Sequence, residues 1–260
     1  MSDCSGKALQ NFVDIWISPE IQRRQDAGNL PIPFQITMAQ IIFFPAGKPA
    51  EVRLNSEVNF RVITSDGRQA SVDFDTKDNN FLRFELTEEN LEDCGHVTIV
   101  GLGDNTWTWS FDLIYNKSKT RQHLDAACEF IGGAEYAAKN KYWRLYAECM
   151  FGAKELISRA YLLSSPDQKY ERKGSHRATH TRINLESNLG NVPREYIDIF
   201  NKFGNLRREA RYVEGDVIFS EDEAGNYIDL AKGFLALVEA RNLSVDVNKS
   251  VPPTVDVSTD

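Results

Sequence analysis

Two histidines, His176 and His180, stand four residues apart in a segment that we predict to be a helix over about residues 176–189. Residues at this spacing share one face of an α-helix, so the two imidazole rings are expected to lie side by side. Such a pair can hold a metal ion or contact RNA, and a structural or surface position is the third alternative. The sequence supplies no convincing third ligand nearby. We therefore predict no metal site and no cofactor.

The two histidines belong to a basic stretch. Residues 169–211 contain ten Lys and Arg against five Asp and Glu. Guanidinium groups stabilise phosphate charge, and imidazoles exchange protons near neutral pH. The stretch predicts that nucleic acid or another ligand is bound by His176, Arg177, His180, Arg208 and Arg211. A solvated helix face is the alternative for any charge cluster of this kind.

Acidic residues are concentrated elsewhere in the chain. The 260 residues carry a net charge of −8. Residues 1–115 hold 9 Lys and Arg against 17 Asp and Glu, whereas residues 116–260 hold 21 of each. An acidic region repels phosphate groups, so the first 115 residues are not expected to bind nucleic acid by themselves.

The composition is that of a folded protein, with 42% hydrophobic and 26% charged residues. No apolar run approaches the roughly 20 residues of a transmembrane helix, and the N-terminal residues lack the basic and apolar regions of a signal peptide. We therefore expect a cytoplasmic protein without membrane contact. The cysteines, which have no short metal-binding spacing, are predicted to be free thiols: Cys4, Cys94, Cys128 and Cys149.

Short alternating runs of apolar and polar residues occur between residues 12 and 115, at residues 58–63, 71–74, 81–86 and 106–111. A period of two with β-branched and aromatic side chains predicts strands, and turn residues separate the runs. This spacing is typical of an antiparallel sandwich or small barrel. Residues 41–44 are apolar on both faces and predict a central strand.

Helical periodicity begins beyond residue 116. We predict one helix over residues 124–139, interrupted at Gly132 and Gly133, and a second over residues 142–163. Their short connection predicts an antiparallel hairpin. Later helices are predicted near residues 176–189, from Pro193 to about Ala210, and from a capping box at residues 220–223 to about Val238.

These patterns together predict an α+β chain with two domains. Residues 1–115 form an all-β sandwich or small barrel that acts as a recognition domain, and residues 116–243 form an all-α bundle. The polar segment of residues 244–260 is predicted to be a disordered tail.

Two groups of residues carry a resemblance to a known family. The first is Ala-Glu-Tyr-Ala-Ala at residues 134–138, followed by Tyr-Trp-Arg-Leu-Tyr-Ala at 142–147 and Ala-Lys-Glu-Leu at 153–156. The second is Leu-Arg-Arg-Glu-Ala-Arg-Tyr at residues 206–212, before an acidic turn and a last helix. In helix order and in these phrases, residues 119–243 resemble the HEPN family, which forms bundles of about four or five helices.

The resemblance implies a homodimer formed through the helical domain. In nuclease members, an Arg followed by a polar residue and then, four to six residues later, by His forms the site of RNA cleavage. Here Arg207 stands at the first position, Arg208 at the second and Tyr212 near the third. The resemblance therefore assigns Arg207 and Tyr212 as catalytic residues, although a phenol is a poor general base at neutral pH.

Three functions are consistent with the sequence. The first is a HEPN-like dimerising module that binds RNA, a nucleotide or a partner protein, as in prokaryotic toxin or defence systems. The second is an active, metal-independent ribonuclease that uses Arg207 with Tyr212, or with His176 or His180 brought close by folding. The third is a tetratricopeptide-like scaffold, which predicts stacked helical hairpins in place of a closed bundle.

Overall fold

The computed structural model describes residues 2–64, 69–70, 81–103, 106–165, 176–212, 214–243 and 255–256. The chain divides into two compact units, Met1–Tyr115 with Asp246–Asp260, and Asn116–Val245. The predicted fold class is confirmed, because antiparallel sheets precede an all-α bundle. The predicted tail lies outside the described residues except for Val255–Asp256, a two-residue strand.

The first unit begins with helices. Helix α1 (Ser2–Phe12) continues through a π-helical turn (Val13–Ile17) into α2 (Ser18–Asp26). Apolar residues recur along this stretch with the spacing of a helix face. They pack together against one face of the sheet formed by the strands that follow: Leu9, Phe12, Val13, Trp16, Ile17 and Ile21. The alternating pattern expected from residue 12 therefore starts only at Met38, where the first strand begins.

The described residues form eight strands in chain order: β1 (Met38–Phe43), β2 (Glu51–Leu54), β3 (Arg61–Thr64), β4 (Gln69–Ala70), β5 (Phe81–Glu85), β6 (Gly95–Gly103), β7 (Thr106–Asp112) and β8 (Val255–Asp256). These strands pair antiparallel, in the orders β2-β1-β6-β7-β8 and β4-β3-β5. Over the strands that the structure describes, neither sheet closes into a barrel. The prediction for residues 71–74 falls outside the described residues.

The central strand predicted at residues 41–44 is confirmed as β1. It pairs with β2 on one side and β6 on the other. Ile41 faces the cluster beneath the N-terminal helices, whereas Ile42 faces a separate cluster with Leu91 and Cys94. Both isoleucines are fully buried, which is why this strand lacks polar alternation.

The described part of the second unit contains five helices: α3 (Lys117–Lys139), α4 (Trp143–Leu163), α5 (His176–Asn188), α6 (Arg194–Tyr212) and α7 (Glu221–Leu243). One apolar core cluster includes residues from all five, as in a bundle. Among the described residues, no helix is long and apolar enough to cross a membrane.

Helices α3 and α4 form the predicted antiparallel hairpin. Buried Asn116, just before α3, donates from Nδ2 to the carbonyl oxygen of Leu163 at the end of α4, over 3.0 Å. Helix α3 starts before residue 124 and runs through both glycines without interruption. A Cβ at Gly133 would lie 3.1 Å from the Cys149 sulfur, so this glycine permits close helix packing.

The predicted capping box before α7 is also confirmed. The Glu223 N–H donates to the Ser220 hydroxyl over 3.2 Å, and the Ser220 N–H donates to the Glu223 carboxylate over 3.3 Å. These two bonds satisfy donors that have no partner inside the helix.

Helix α4 contacts each of the other four helices, and it buries a charged residue, Lys154. The Lys154 Nζ lies 5.5 and 5.3 Å from the ring centres of Tyr196 and Phe234 and has no hydrogen-bond partner among the described residues. Burial lowers the pKa of Lys154 from 10.5 to about 7, because the ammonium loses its hydration.

Replacing Lys154 by Met should stabilise the chain near neutral pH. An unfolded lysine keeps its proton up to about pH 10, so between pH 7 and 10 the unfolded state binds more protons than the folded state. The free energy of unfolding of the wild type should therefore rise with pH, by up to about 1.4 kcal/mol per unit. Lys154→Met should remove this rise.

Urea unfolding at pH 7, 8.5 and 10, followed by circular dichroism, measures the effect. The matched control is Lys139→Met on the exposed surface of α3, which should keep the wild-type pH dependence. Equal pH dependence in wild type and Lys154→Met would show that Lys154 does not lose its proton on folding.

Candidate functional site

A cleft of about 240 Å³ opens where α4, α5 and α6 meet. Helix α4 contributes Phe151 and Glu155, which lie one turn apart. Helix α5 contributes three residues near its N-terminus. Helix α6 lines the remaining wall. The α5 and α6 residues that line the cleft are His176, Arg177, His180, Phe200, Gly204, Asn205 and Arg207. Spacings of three and four residues place each set on one helix face.

Four of the residues predicted from the sequence meet in this cleft. His176, Arg177 and His180 come from α5, and Arg207 comes from α6. The sequence places the histidines and Arg207 about thirty residues apart, and the packing of α5 against α6 brings them together.

Aromatic rings hold the cleft's nitrogen-bearing groups in place. The Arg207 guanidinium carbon lies 4.6 Å from the ring centre of Phe151. The His180 ring lies 5.4 Å from Phe200, and the His176 ring lies 6.0 Å from Phe151. The two imidazole rings are tilted against the phenylalanine rings, and contacts of this kind restrict the rotation of planar side chains. The polar groups are thus oriented before a ligand arrives.

Glu155 is the site residue that the sequence analysis missed. Its side chain is buried, yet it pairs with Arg159 Nη2 over 2.7 Å and with His176 Nδ1. The apolar stripe of α4 does not include this position, and His176 lies on another helix. Its one sequence signal is the four-residue spacing to Arg159, which is typical of an ordinary surface ion pair.

Two of the remaining predicted site residues, Arg211 and Tyr212, do not line the cleft. Tyr212 ends α6 with 65% of its surface exposed. Arg211 donates to the Glu148 carboxylate over 2.6 Å. The Arg208 side chain lies outside the described residues. Within one chain, Arg207 is therefore grouped with the two histidines rather than with Tyr212.

The last turn of α6 is fixed by an arginine from α4. The Arg144 guanidinium donates to the carbonyl oxygen of Glu209 and, over 2.7 Å, to that of Gly215. Carbonyls at a helix C-terminus lack partners within the helix and favour a nearby cation. This contact holds the segment that carries Arg207.

The described histidines and cysteines outside the cleft form no comparable site. His96 is buried in β6 with its Nδ1 3.1 Å from the Thr98 hydroxyl, and half-buried His123 contacts the Lys119 carbonyl oxygen. Within the described part of the chain, no group of three or more His, Cys, Asp or Glu is arranged to hold a metal ion. Cys94, Cys128 and Cys149 are free thiols.

The chemistry available in the cleft is recognition of an anion. Two guanidinium groups and two imidazoles line it against one carboxylate, which Arg159 already neutralises. Guanidinium groups bind phosphate oxygens with two parallel hydrogen bonds. No protein-family model matches the sequence, and a comparison with curated proteins found no match. The assignment of this site therefore follows from its own geometry.

Proposed function

We propose that the helical unit is a HEPN-like module that binds the phosphate groups of RNA in the cleft between α4, α5 and α6. The observation that carries the proposal is the convergence of His176, Arg177, His180 and Arg207 on one concave surface. Nucleic-acid affinity comes largely from contacts of this type between basic groups and the phosphate backbone.

The aromatic residues of the cleft favour phosphate over base recognition. The rings of Phe151 and Phe200 already pack against Arg207 and His180. These ring faces therefore position the guanidinium and imidazole groups and are not free to stack on a base. The volume of about 240 Å³ is below the usual range of drug-sized ligand pockets, about 300–1,000 Å³. It suits a phosphate and the sugar that carries it.

Removing the Arg207 guanidinium should weaken RNA binding. Loss of one charge-assisted hydrogen bond corresponds to a dissociation constant about tenfold higher or more. Fluorescence anisotropy with a labelled single-stranded RNA, 2′-O-methylated throughout so that it stays intact, measures the constant for wild type and Arg207→Ala. The control is Arg194→Ala, an exposed arginine on the same helix that pairs with Asp198. Equal affinity of Arg207→Ala and wild type would contradict the proposal.

Filling the cleft tests the same site without removing a charge. A Cβ at Gly204 meets open space, so Gly204→Leu should fold and project into the cleft. Gly225 on α7 also faces open space and provides the control, Gly225→Leu. Gly204→Leu should lose affinity for RNA and Gly225→Leu should keep it. Competition by a mononucleotide at equal concentration would assign the cleft to free nucleotides instead.

The resemblance to HEPN bundles also supports dimerisation through the helical unit. Light scattering after gel filtration at micromolar concentration should give twice the chain mass of 29.5 kDa. A measured mass equal to that of one chain at every protein concentration would contradict dimerisation. The proposal of RNA binding would then still be decided by the anisotropy experiment.

A second candidate function, a metal-independent ribonuclease, is favoured by one observation. The two histidines share the cleft with Arg207, so a proton-transferring group lies beside a phosphate-binding group. This arrangement supplies the imidazole that the segment around Arg207 lacks.

Cleavage of unmodified RNA in the presence of EDTA tests this second function. We expect Arg207→Ala and His180→Ala each to slow cleavage at least a hundredfold, since proton transfer and charge stabilisation each contribute about this much. Tyr212→Phe should cleave like the wild type, because Tyr212 lies outside the cleft. Loss of activity in Tyr212→Phe alone would favour the pair assigned by the family resemblance.

A further inference from the structure

We propose that Glu155 is a positioning residue that orients His176 to accept the proton of a ribose 2′-hydroxyl during RNA cleavage. The inference deepens the second proposed function and rests on it. It adds a carboxylate that the sequence analysis did not assign, and it gives the two histidines of the cleft different tasks.

The contact between Glu155 and His176 fixes one ring nitrogen. His176 Nδ1 lies in ion-pair contact with Glu155 Oε1. A carboxylate oxygen accepts hydrogen bonds only, so this contact favours the form of the ring in which Nδ1 carries the hydrogen. In the neutral ring the other nitrogen, Nε2, then has a free lone pair and is the proton acceptor.

Burial differs between the two partners in a way that suits these tasks. Glu155 is 7% exposed and is held by Arg159, so it has little freedom to move. The His176 side chain is 58% exposed and lines the cleft, so a ligand can reach it.

His180 has a different environment in the same cleft. Its ring packs against Phe200, and in the described part of the chain no carboxylate is paired with it. One turn separates it from His176, so both rings can face one phosphodiester. In its protonated form His180 is suited to donate a proton to the leaving oxygen, while Arg207 binds the phosphate.

The reaction balances without a further reactant. The 2′-hydroxyl proton moves to His176 Nε2, and the 2′-oxygen forms a bond to phosphorus. The bond between phosphorus and the 5′-oxygen breaks, and that oxygen takes the proton from His180. The products are a 2′,3′-cyclic phosphate and a 5′-hydroxyl, and proton exchange with water restores both histidines.

The experiment compares cleavage and binding in Glu155→Gln, His176→Ala and the double variant. Glu155→Gln should slow cleavage of unmodified RNA about tenfold to a hundredfold and leave the affinity for 2′-O-methyl RNA within about twofold. His176→Ala should be slower still. The double variant should be no slower than His176→Ala, because Glu155 acts only through His176. The control is Glu148→Gln, which alters a carboxylate on the same helix outside the cleft.

Several outcomes would overturn the inference. If the losses of cleavage rate in Glu155→Gln and His176→Ala added up in the double variant, Glu155 would have a general structural role. The same conclusion would follow if Glu155→Gln lost cleavage rate and RNA affinity equally. Binding of 2′-O-methyl RNA by a wild type that cleaves no RNA would overturn it and leave the phosphate-binding proposal standing. Absence of binding would instead reject that proposal.

A measurement on the wild type covers the case in which Glu155→Gln does not fold. Nitrogen-15 NMR of the histidine rings distinguishes the two neutral tautomers. The His176 ring should carry its hydrogen on Nδ1, and a hydrogen on Nε2 in the neutral ring would overturn the inference.

Discussion

The burial of α4 is the constraint on which the helical unit depends. The other four helices surround it, so charged residues on its inner faces lose their hydration and need compensation. Two adjacent residues meet this requirement in opposite ways. Lys154 lies between aromatic rings with a pKa lowered to about 7 by burial, whereas Glu155 keeps cationic partners, Arg159 and His176. Lys154 is accommodated in the interior at a cost in stability, whereas the paired Glu155 reaches into the cleft.

The cleft itself is a consequence of how α5 and α6 pack on α4. Phe151 and Phe200 lie at its walls, where their rings support Arg207 and the imidazoles. Rings in these positions stabilise the bundle and restrict the motion of the polar groups at the same time. Because Gly204 has no side chain, the space between those walls stays open.

Local patterns predicted the helical unit well because its signals are short in range. The helical periodicity beyond residue 116 and the capping box at residues 220–223 each depend on neighbours within about four residues. The same reasoning was less successful at residues 12–26. That stretch has helical spacing of its apolar residues, but its aromatic and β-branched content resembles that of the strands that follow.

By itself, the sequence determined the change from strands to helices near residue 116, the basic stretch and four residues of the cleft: His176, Arg177, His180 and Arg207. Only the tertiary structure decided which of these act together. It grouped Arg207 with the histidines, left Tyr212 exposed, and placed Glu155 against His176. The physical reason is that helix periodicity fixes which residues share a face, whereas contacts between faces of different helices depend on the packing of the whole bundle.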